Sequence, residues 1–242
     1  MFEEEVNIMH EVWIVGAKRT AIGDFLGKLK DVCAVDLGVT VVNAALAQAG
    51  VSAAEVQEVA CGQIYKAGAK GNPGRQIQLN CGMPVEEQDE LALLSHQRAI
   101  KAIQSGVFKD EIVPVTIETR KGPIVIDTDE HPRADVTIET LAAMKPAFKK
   151  DGTVTAGNAS GVNDGAAALV LVSAEKGKAM GLKPLAKLRS TANFGVAPEV
   201  MGIGPAFAIP KAIELAGLTA EDIGYYEINE AFAAQFLAVN RE

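Results

Sequence analysis

Hydrophobic and polar residues follow two different periods along the chain, which predicts a mixture of strands and helices. The apolar run "EVWIVGAKR" predicts a buried strand, and residues Val35 to Ala49 follow with helical spacing up to Gly50. Ser52 and Glu55 then have the spacing of a capping box, and "VQEVACGQI" predicts the next strand. Strand and helix thus follow each other in the order that is typical of α/β proteins.

The same order of elements recurs near the other end of the chain. "PLAKLRSTA" predicts a strand, "PAFAIPKAIELAG" a helix that ends at Gly217, and "TAED" a capped turn before the strand "IGYYEI". The segments "AGVSAAEV" (Ala49–Val56) and "AGLTAEDI" (Ala216–Ile223) match in residue type at nearly every position. This repeat favours two copies of one βαβ-type unit. The alternative is that helix ends followed by helix starts look alike in any α/β protein.

The middle of the chain has a different pattern. Residues 87 to 106 are strongly helical, and "IVPVTI" and "GPIVID" predict an antiparallel pair that turns around Arg120–Gly122. A loop is predicted from Asp127 to Lys150. After a further loop, the apolar run "AALVLVS" predicts a strand that is buried on both faces.

The chain ends in a helical pattern. Phe232, Phe236 and Val239 lie at positions i, i+4 and i+7, which places them on one helix face. No glycine, proline or capping residue ends this pattern before Glu242. We therefore expect the complete protein to continue beyond Glu242.

Composition narrows the class of protein. A net charge of −8 argues against nucleic-acid binding, which needs a basic surface. No apolar run approaches the roughly 20 residues of a membrane span, and the acidic N-terminus lacks the features of a secretory signal. The three cysteines are too widely spaced for a disulfide framework or a zinc site, and the histidines lack metal spacing. We expect a cytoplasmic protein without a metal.

Two stretches carry side chains that are suited to binding a ligand. In "TAGNASGVNDGAA", Asn158, Ser160 and Asn163 stand among small residues that let a ligand approach the backbone. In "NEAF", Asn229 follows a predicted strand, and strand ends are where α/β sheets bind ligands. The alternative for both is an ordinary polar turn. His96, on the predicted helix 87–106, is expected to be a surface residue or a residue with satisfied hydrogen bonds.

Several segments together resemble the thiolase family. They are "AKRTAIGDFLGKL", "GNPGRQIQLNCGMP", "SHQRAIKAIQSGVFKDEIVPV", "MKPAFKKDGTVTAGNASGVNDGAAALVLVS", "MGIGPAFAIPKAIELAG" and "EINEAFAAQFLAVN". They stand in family order and extend over nearly the whole chain from Glu11 onward. The resemblance implies an α/β fold of two duplicated halves in layered helix and sheet packing. It also implies the following division: residues 9–86 with 157–182 as an N-terminal half, 87–156 as the remnant of an inserted loop domain, and 183–242 as a C-terminal half.

The resemblance implies an acyltransferase that cleaves or forms acetoacetyl-CoA. In such enzymes one cysteine takes the acyl group, a second removes a proton from acetyl-CoA, and oxyanion holes stabilise the developing charge. The alternatives are a longer-chain 3-ketoacyl-CoA thiolase of fatty-acid oxidation and a catalytically inactive CoA-binding relative. No cofactor is expected, because CoA thioesters are the substrates. A homodimer or homotetramer is expected, and "GNPGRQIQLNCGMP" resembles the part of the family near the dimer interface.

The resemblance also assigns site residues. Asn229 resembles the residue that fixes a water molecule in an oxyanion hole. The other assigned residues would contact the CoA thioester: Ala231 and Phe232 as the wall beside the pantetheine arm, Ser160 with Ala156 at the pantetheine amides, Phe148 and Arg133 at the adenine nucleotide, and Met201 in the acyl pocket.

The chain departs from the family at its nucleophile. "CGMPVE" runs directly into "EQDELALLSHQ", and the "CGSG"-type segment that would carry the reactive cysteine is absent, as are the "GHP" histidine and the "CxGGG" cysteine. Cys33, Cys61 and Cys81 match neither catalytic cysteine. We expect a longer protein with further residues between about Glu86 and Glu87 and after Glu242. The alternative is a shortened and inactive relative.

Overall fold

The structure is a computed structural model that describes residues 11–32, 34–57, 85–147 and 152–242. The strands are β1 Val12–Thr20, β2 Ile112–Val113, β3 Val115–Thr119, β4 Gly122–Ile126, β5 Ala167–Ser173 and β6 Ala186–Leu188. The helices are α1 Ala34–Ala49, α2 Val85–Ser105, α3 Ile138–Ala142, α4 Ala174–Ala179, α5 Gly204–Leu215 and α6 Ala233–Arg241. Short 3₁₀ turns lie at Ala53–Glu55, Pro198–Ile203 and Ala220–Asp222.

Strand β1 is the centre of the main sheet, as its apolar sequence predicts. It pairs antiparallel with β5 along one edge, and along the other edge antiparallel with β6 and parallel with β2. Helix α1 crosses β1 so closely that a side chain at Gly16 would collide with the backbone of Ala45. Trp13, Val15 and Ala49 form a core cluster at this crossing. The predicted antiparallel pair is also confirmed: β3 and β4 form a hairpin that turns between Thr119 and Gly122.

The two matching sequence segments form the same local structure. Helices α1 and α5 are each followed by a glycine with φ of 68°, Gly50 and Gly217, a conformation that closes a helix and favours glycine. A capping box follows each glycine: the Ser52 N–H donates to Glu55 (2.9 Å), and the Thr219 N–H donates to Asp222 (2.9 Å). These backbone hydrogen bonds lower the pKa of both carboxyl groups. The repeat is therefore a repeat of structure at these turns.

Two sequence predictions about strands are wrong. Residues 223–228 ("IGYYEI") form no strand, and Tyr225 is 80% exposed. A strand needs a neighbour for its backbone hydrogen bonds, and no strand in the described part of the chain pairs with this segment. Strand β5 is not buried on both faces: Leu169 and Leu171 are 58% and 50% exposed. The core cluster formed with α1 and α4 contains Val170 and Val172, on the opposite face of β5.

The predicted helices of the middle and the end of the chain are confirmed as α2 and α6. The predicted loop 127–150 contains the short helix α3, which Thr137 caps by accepting a hydrogen bond from the Thr140 N–H. Most of "VQEVACGQI" lies outside the described residues, as does all of "GNPGRQIQLNCGMP". Among the described residues, no helix combines the length and apolar character that crossing a membrane requires.

Candidate active site

A cleft of about 220 Å³ lies between α2, the loop that precedes β5, and the start of α6. We call it the Ser160 cleft. Helix α2 contributes Ala92, Ser95, His96 and Ala99, which share one helix face because they are three or four residues apart. The opposite wall is the loop Gly157–Gly161, and His131 and Glu230 are among the other residues that line the cleft. Small residues leave room for a ligand at the backbone, with polar side chains on both walls.

A buried amide fixes the loop of the Ser160 cleft to the helices around it. The Asn158 side chain donates to the Asp89 carboxylate (2.9 Å) and the Thr153 carbonyl (3.1 Å), and accepts from the Thr155 N–H (2.9 Å). The Asn158 carbonyl accepts from the Ala233 N–H (3.0 Å). Asn158 and Asp89 are 3% and 2% exposed, so these hydrogen bonds are made away from water. One residue therefore connects the loop to both α2 and α6.

The two sequence stretches that were singled out for ligand binding meet at this cleft. The Ser160 N–H donates to the Ala231 carbonyl (3.0 Å), and Ala159 forms an antiparallel bridge with Phe232. Ser160 itself is exposed, so its hydroxyl group is accessible to a ligand. The "NASG" loop and the "NEAF" segment thus form a single wall.

Asn229 is exposed, and the residue that follows it, Glu230, lines the Ser160 cleft. Residues 223–228, which precede it, form no strand, so the hydrogen bonds that hold this part of the backbone are those of the residues that follow Asn229. The Glu230 carboxylate accepts from the Ser95 hydroxyl (2.6 Å), and the next carbonyl, that of Ala231, accepts from Ser160. These two hydrogen bonds fix the backbone just after Asn229.

A second groove of about 200 Å³ lies on the other side of His96. We call it the Arg133 groove. Its floor includes Leu93 and Ile100 of α2, and its cationic side chains are Lys101 and Arg133. The Arg133 guanidinium lies 3.5 Å from the Asp24 carboxylate and its side chain is 61% exposed. Apolar atoms with two cations at the rim suit a planar, negatively charged group.

His96 lines both the Ser160 cleft and the Arg133 groove. Its Nδ1 accepts a hydrogen bond from the Arg133 backbone N–H (3.3 Å), and its ring centroid lies 6.1 Å from that of His131. Burial lowers the pKa of His96, and the neighbouring charges of His131 and Arg133 lower it further. The Nδ1 of His131 is buried without a hydrogen-bond partner, and it lies 3.7 Å from an Asp24 carboxylate oxygen.

Family models match both the N-terminal and the C-terminal parts of the chain. The model "Thiolase, N-terminal domain" matches residues 12–86 and 80–175, and "Thiolase, C-terminal domain" matches residues 182–242. The chain belongs to the thiolase family. Thiolases are enzymes, and the α/β fold expected from the sequence is confirmed.

Individual thiolases are similar over most of the chain. The acetyl-CoA acetyltransferase of Pseudomonas aeruginosa is 38% identical, with 97% of this chain and 84% of the relative covered. The acetyl-CoA acetyltransferase of Escherichia coli is 38% identical, with 94% and 82% covered. Among solved structures, the Bacillus anthracis acetyl-CoA acetyltransferase superposes with a TM-score of 0.87 at 36% identity (96% and 83% covered). Human mitochondrial 3-ketoacyl-CoA thiolase superposes with a TM-score of 0.83 at 30% identity (96% and 83% covered).

These thiolases contain residues that have no counterpart here. The alignment with the Pseudomonas aeruginosa protein runs over 330 positions, which is more than the 242 residues of this chain. The two matches to the N-terminal thiolase model meet at residues 80–86, which locates the interruption. The chain itself is continuous there, since α2 runs through Glu86 and Glu87. The sequence prediction that a family block is missing at this point is therefore confirmed.

The structure brings together some of the residues that the thiolase resemblance assigns. Ser160 lines the Ser160 cleft, Ala231 and Phe232 pair with the loop that carries it, and Arg133 lines the neighbouring groove. Ala156 is exposed just before the loop Gly157–Gly161. Met201, in the turn Pro198–Ile203, is 49% exposed and lines neither cleft, and Phe148 and the three cysteines lie outside the described residues.

Sequence reasoning missed several residues on α2. His96 is half-buried and accepts a hydrogen bond from the Arg133 N–H, which agrees with the expectation of a satisfied residue, but its place in the lining of two clefts was not predicted. Ser95 and Asp89 bind the opposite wall. The spacing of Ala92, Ser95, His96 and Ala99 was the available signal, because it places small and polar residues on one helix face. No group of three or more metal-binding side chains suited to a metal ion occurs in the described part of this thiolase.

Proposed function

We propose that this protein transfers acyl groups between CoA thioesters, with acetyl-CoA and acetoacetyl-CoA as substrates. The observation that carries the proposal is that the Ser160 cleft and the Arg133 groove are neighbours that share His96 in their linings. A CoA thioester has a neutral pantetheine arm followed by a negatively charged nucleotide. The Ser160 cleft, lined mainly by small and uncharged residues with the Glu230 carboxylate bound to Ser95, suits the arm, and the cations of the groove suit the nucleotide. Relatives named acetyl-CoA acetyltransferase, at 38% identity, support this substrate class.

The proposed chemistry proceeds through an acyl-cysteine. A thiolate attacks the thioester carbonyl, the C–S bond to CoA breaks, and CoA leaves as a thiol after taking up a proton. A second base then removes a proton from acetyl-CoA, and the resulting carbanion attacks the acyl-cysteine. The new C–C bond forms as the C–S bond to the cysteine breaks, which releases acetoacetyl-CoA and restores the cysteine thiolate. Negative charge develops on the thioester oxygen in both steps. A neutral donor such as a water held by Asn229 lowers the barrier of the second step, and a separate oxyanion hole serves the acylation step. The supporting evidence is the resemblance of the "NEAF" segment to the family.

A second candidate is a CoA-binding protein without catalytic activity. It is favoured by one observation: the sequence has no counterpart of the family's "CGSG"-type segment, which would carry the reactive cysteine. A longer-chain 3-ketoacyl-CoA substrate is a further alternative. It rests on the similarity to the human 3-ketoacyl-CoA thiolase structure, at 30% identity, and no feature of the described clefts favours it over a short chain.

Two measurements on the complete protein expected from the sequence decide between the first two candidates. We expect thiolytic cleavage of acetoacetyl-CoA in the presence of CoA, and a mass increase of one acetyl group after incubation with acetyl-CoA. CoA binding by calorimetry without turnover or acylation would support the inactive CoA-binding protein instead. A chain that neither binds CoA nor cleaves acetoacetyl-CoA would contradict both candidates.

We also propose the residue division, the assembly and the location that the sequence suggests. The division is 9–86 with 157–182, then 87–156, then 183–242, and the repeated turns after Gly50 and Gly217 support two related halves. A homodimer or homotetramer is proposed because twofold symmetry dominates among soluble oligomers. A cytoplasmic location is proposed from the spacing of the three cysteines.

Replacing Arg133 by alanine is expected to weaken CoA binding about tenfold, because an exposed guanidinium would lose its contact with a phosphate group. The difference from the wild type should shrink at high salt, since exposed charge pairs are screened. Calorimetric titration at two salt concentrations measures both effects. The control is Arg98→Ala, which removes an exposed arginine of α2 that lines neither cleft. Equal CoA affinities for the two variants would exclude Arg133 from the site.

A further inference from the structure

His96 occupies the one position on α2 that is shared by the Ser160 cleft, which contains no cationic side chain of Lys or Arg among the described residues, and the cationic Arg133 groove. In the described part of the chain, it is the residue that lines both the Ser160 cleft and the Arg133 groove. On the side of the cleft, its neighbours on α2 are Ser95 and Ala99, which carry no charge. On the side of the groove, its neighbours include the cations Lys101 and Arg133.

The hydrogen bonding of His96 determines which ring nitrogen is free for a ligand. Its Nδ1 accepts from the Arg133 backbone N–H (3.3 Å), so the ring hydrogen of the neutral imidazole is on Nε2. Burial lowers the pKa of His96, as do the charges of His131 and Arg133, which keeps the ring neutral at neutral pH. His96 is therefore held as a neutral ring with one nitrogen donor not used by the Arg133 contact.

A CoA thioester changes from an uncharged to a negatively charged part at one point along its length. In a CoA thioester the neutral pantetheine arm ends at a diphosphate, and the nucleotide follows. If the arm lies in the Ser160 cleft and the nucleotide in the Arg133 groove, the diphosphate must pass the residue that the two share. We propose that His96 binds this diphosphate through a hydrogen bond from Nε2. The inference rests on the proposed function, and it assigns a ligand-binding role to a residue of α2.

Two amide variants of different length test the inference. In His96→Gln the amide nitrogen reaches about as far as Nε2, whereas in His96→Asn it stops near the position of Nδ1. We expect His96→Asn to weaken CoA binding about tenfold, the loss of one hydrogen bond to a charged group. His96→Gln should retain most of the affinity. Pantetheine, which lacks the diphosphate, should bind both variants as well as it binds the wild type.

The outcomes separate this inference from the proposed function. Absence of CoA binding by the wild-type chain would overturn both. CoA binding that is equal in His96→Asn and the wild type would overturn the role of His96 and leave the proposed function standing. Equal losses for CoA and pantetheine would also overturn it, since they would show a distorted cleft rather than a lost phosphate contact. Arg98→Ala, on the same helix, is the control for the titrations, and thermal melts confirm that each variant is folded.

Discussion

In the complete protein, replacing Asn229 by alanine is expected to lower kcat for acetoacetyl-CoA cleavage by about 10²-fold or more, the scale of a lost oxyanion-hole donor. KM should change far less. The amide is neutral, so it stabilises charge that develops in the transition state without attracting charge in the ground state. Steady-state kinetics give both constants. Acylation by the first acyl-CoA should survive, because that step is proposed to use the other oxyanion hole.

The structure changes the physical reason for this expectation. Asn229 was expected to be held by a preceding strand, but the segment before it is extended and largely exposed. Its neighbours Glu230 and Ala231 are held instead, by Ser95 (2.6 Å) and by Ser160 (3.0 Å). Asn240→Ala, at an exposed position of α6, is a matched control and should leave kcat unchanged. Normal turnover of Asn229→Ala would remove this residue from the chemistry.

Replacing Asn158 by alanine is expected to reduce the free energy of unfolding by about 3 kcal/mol or more, because it leaves a buried charge without its donor. The Asp89 carboxylate is 2% exposed and accepts from the Asn158 amide at 2.9 Å. Water cannot replace that donor easily at such a depth. Urea unfolding measures the change through the transition midpoint.

Asn163→Ala is the matched control for this effect. Asn163 lies on the same loop and donates to the Gly23 carbonyl (2.9 Å), but its partner is neutral. The expected cost is therefore about 1 kcal/mol. If Asn158→Ala destabilises the protein no more than Asn163→Ala, the Asp89 contact contributes little to stability. Replacing Asp89 and Asn158 together by leucine should cost less than the sum of the single replacements, because no buried charge remains.

Local sequence signals predicted the elements and turns of this thiolase well. The strand β1, the helices α1, α2, α5 and α6, and the β3–β4 hairpin all have a period or a turn residue that specifies them within a few positions. The residues Gly50 and Gly217 illustrate this: their conformation depends on the helix end that they close. Signals of this kind depend on neighbouring residues and not on distant parts of the fold.

Predictions that depend on distant neighbours were less successful. The sequence of residues 223–228 is suited to a strand, but a strand also needs a partner, and periodicity does not report whether one is present. Likewise the apolar run of β5 predicted cover on both faces, whereas Leu169 is 58% exposed. In the site, Ser160 and Arg133 were found through motifs, while His96 was missed because its role depends on two walls that are distant in sequence.

The continuity of α2 through Glu86 and Glu87 has a consequence for protein engineering. These residues lie in the first turn of the helix, where backbone N–H groups have no intrahelical acceptor and acidic side chains are favoured. The α2 residues that line the clefts begin at Leu91, and Asp89 and Ser95 fix the rotation of the helix about its axis. The boundary at residues 86–87 therefore lies about one helical turn before the α2 residues that line the cleft. A segment from a longer thiolase that is inserted there would enter the chain before the α2 residues that line the Ser160 cleft.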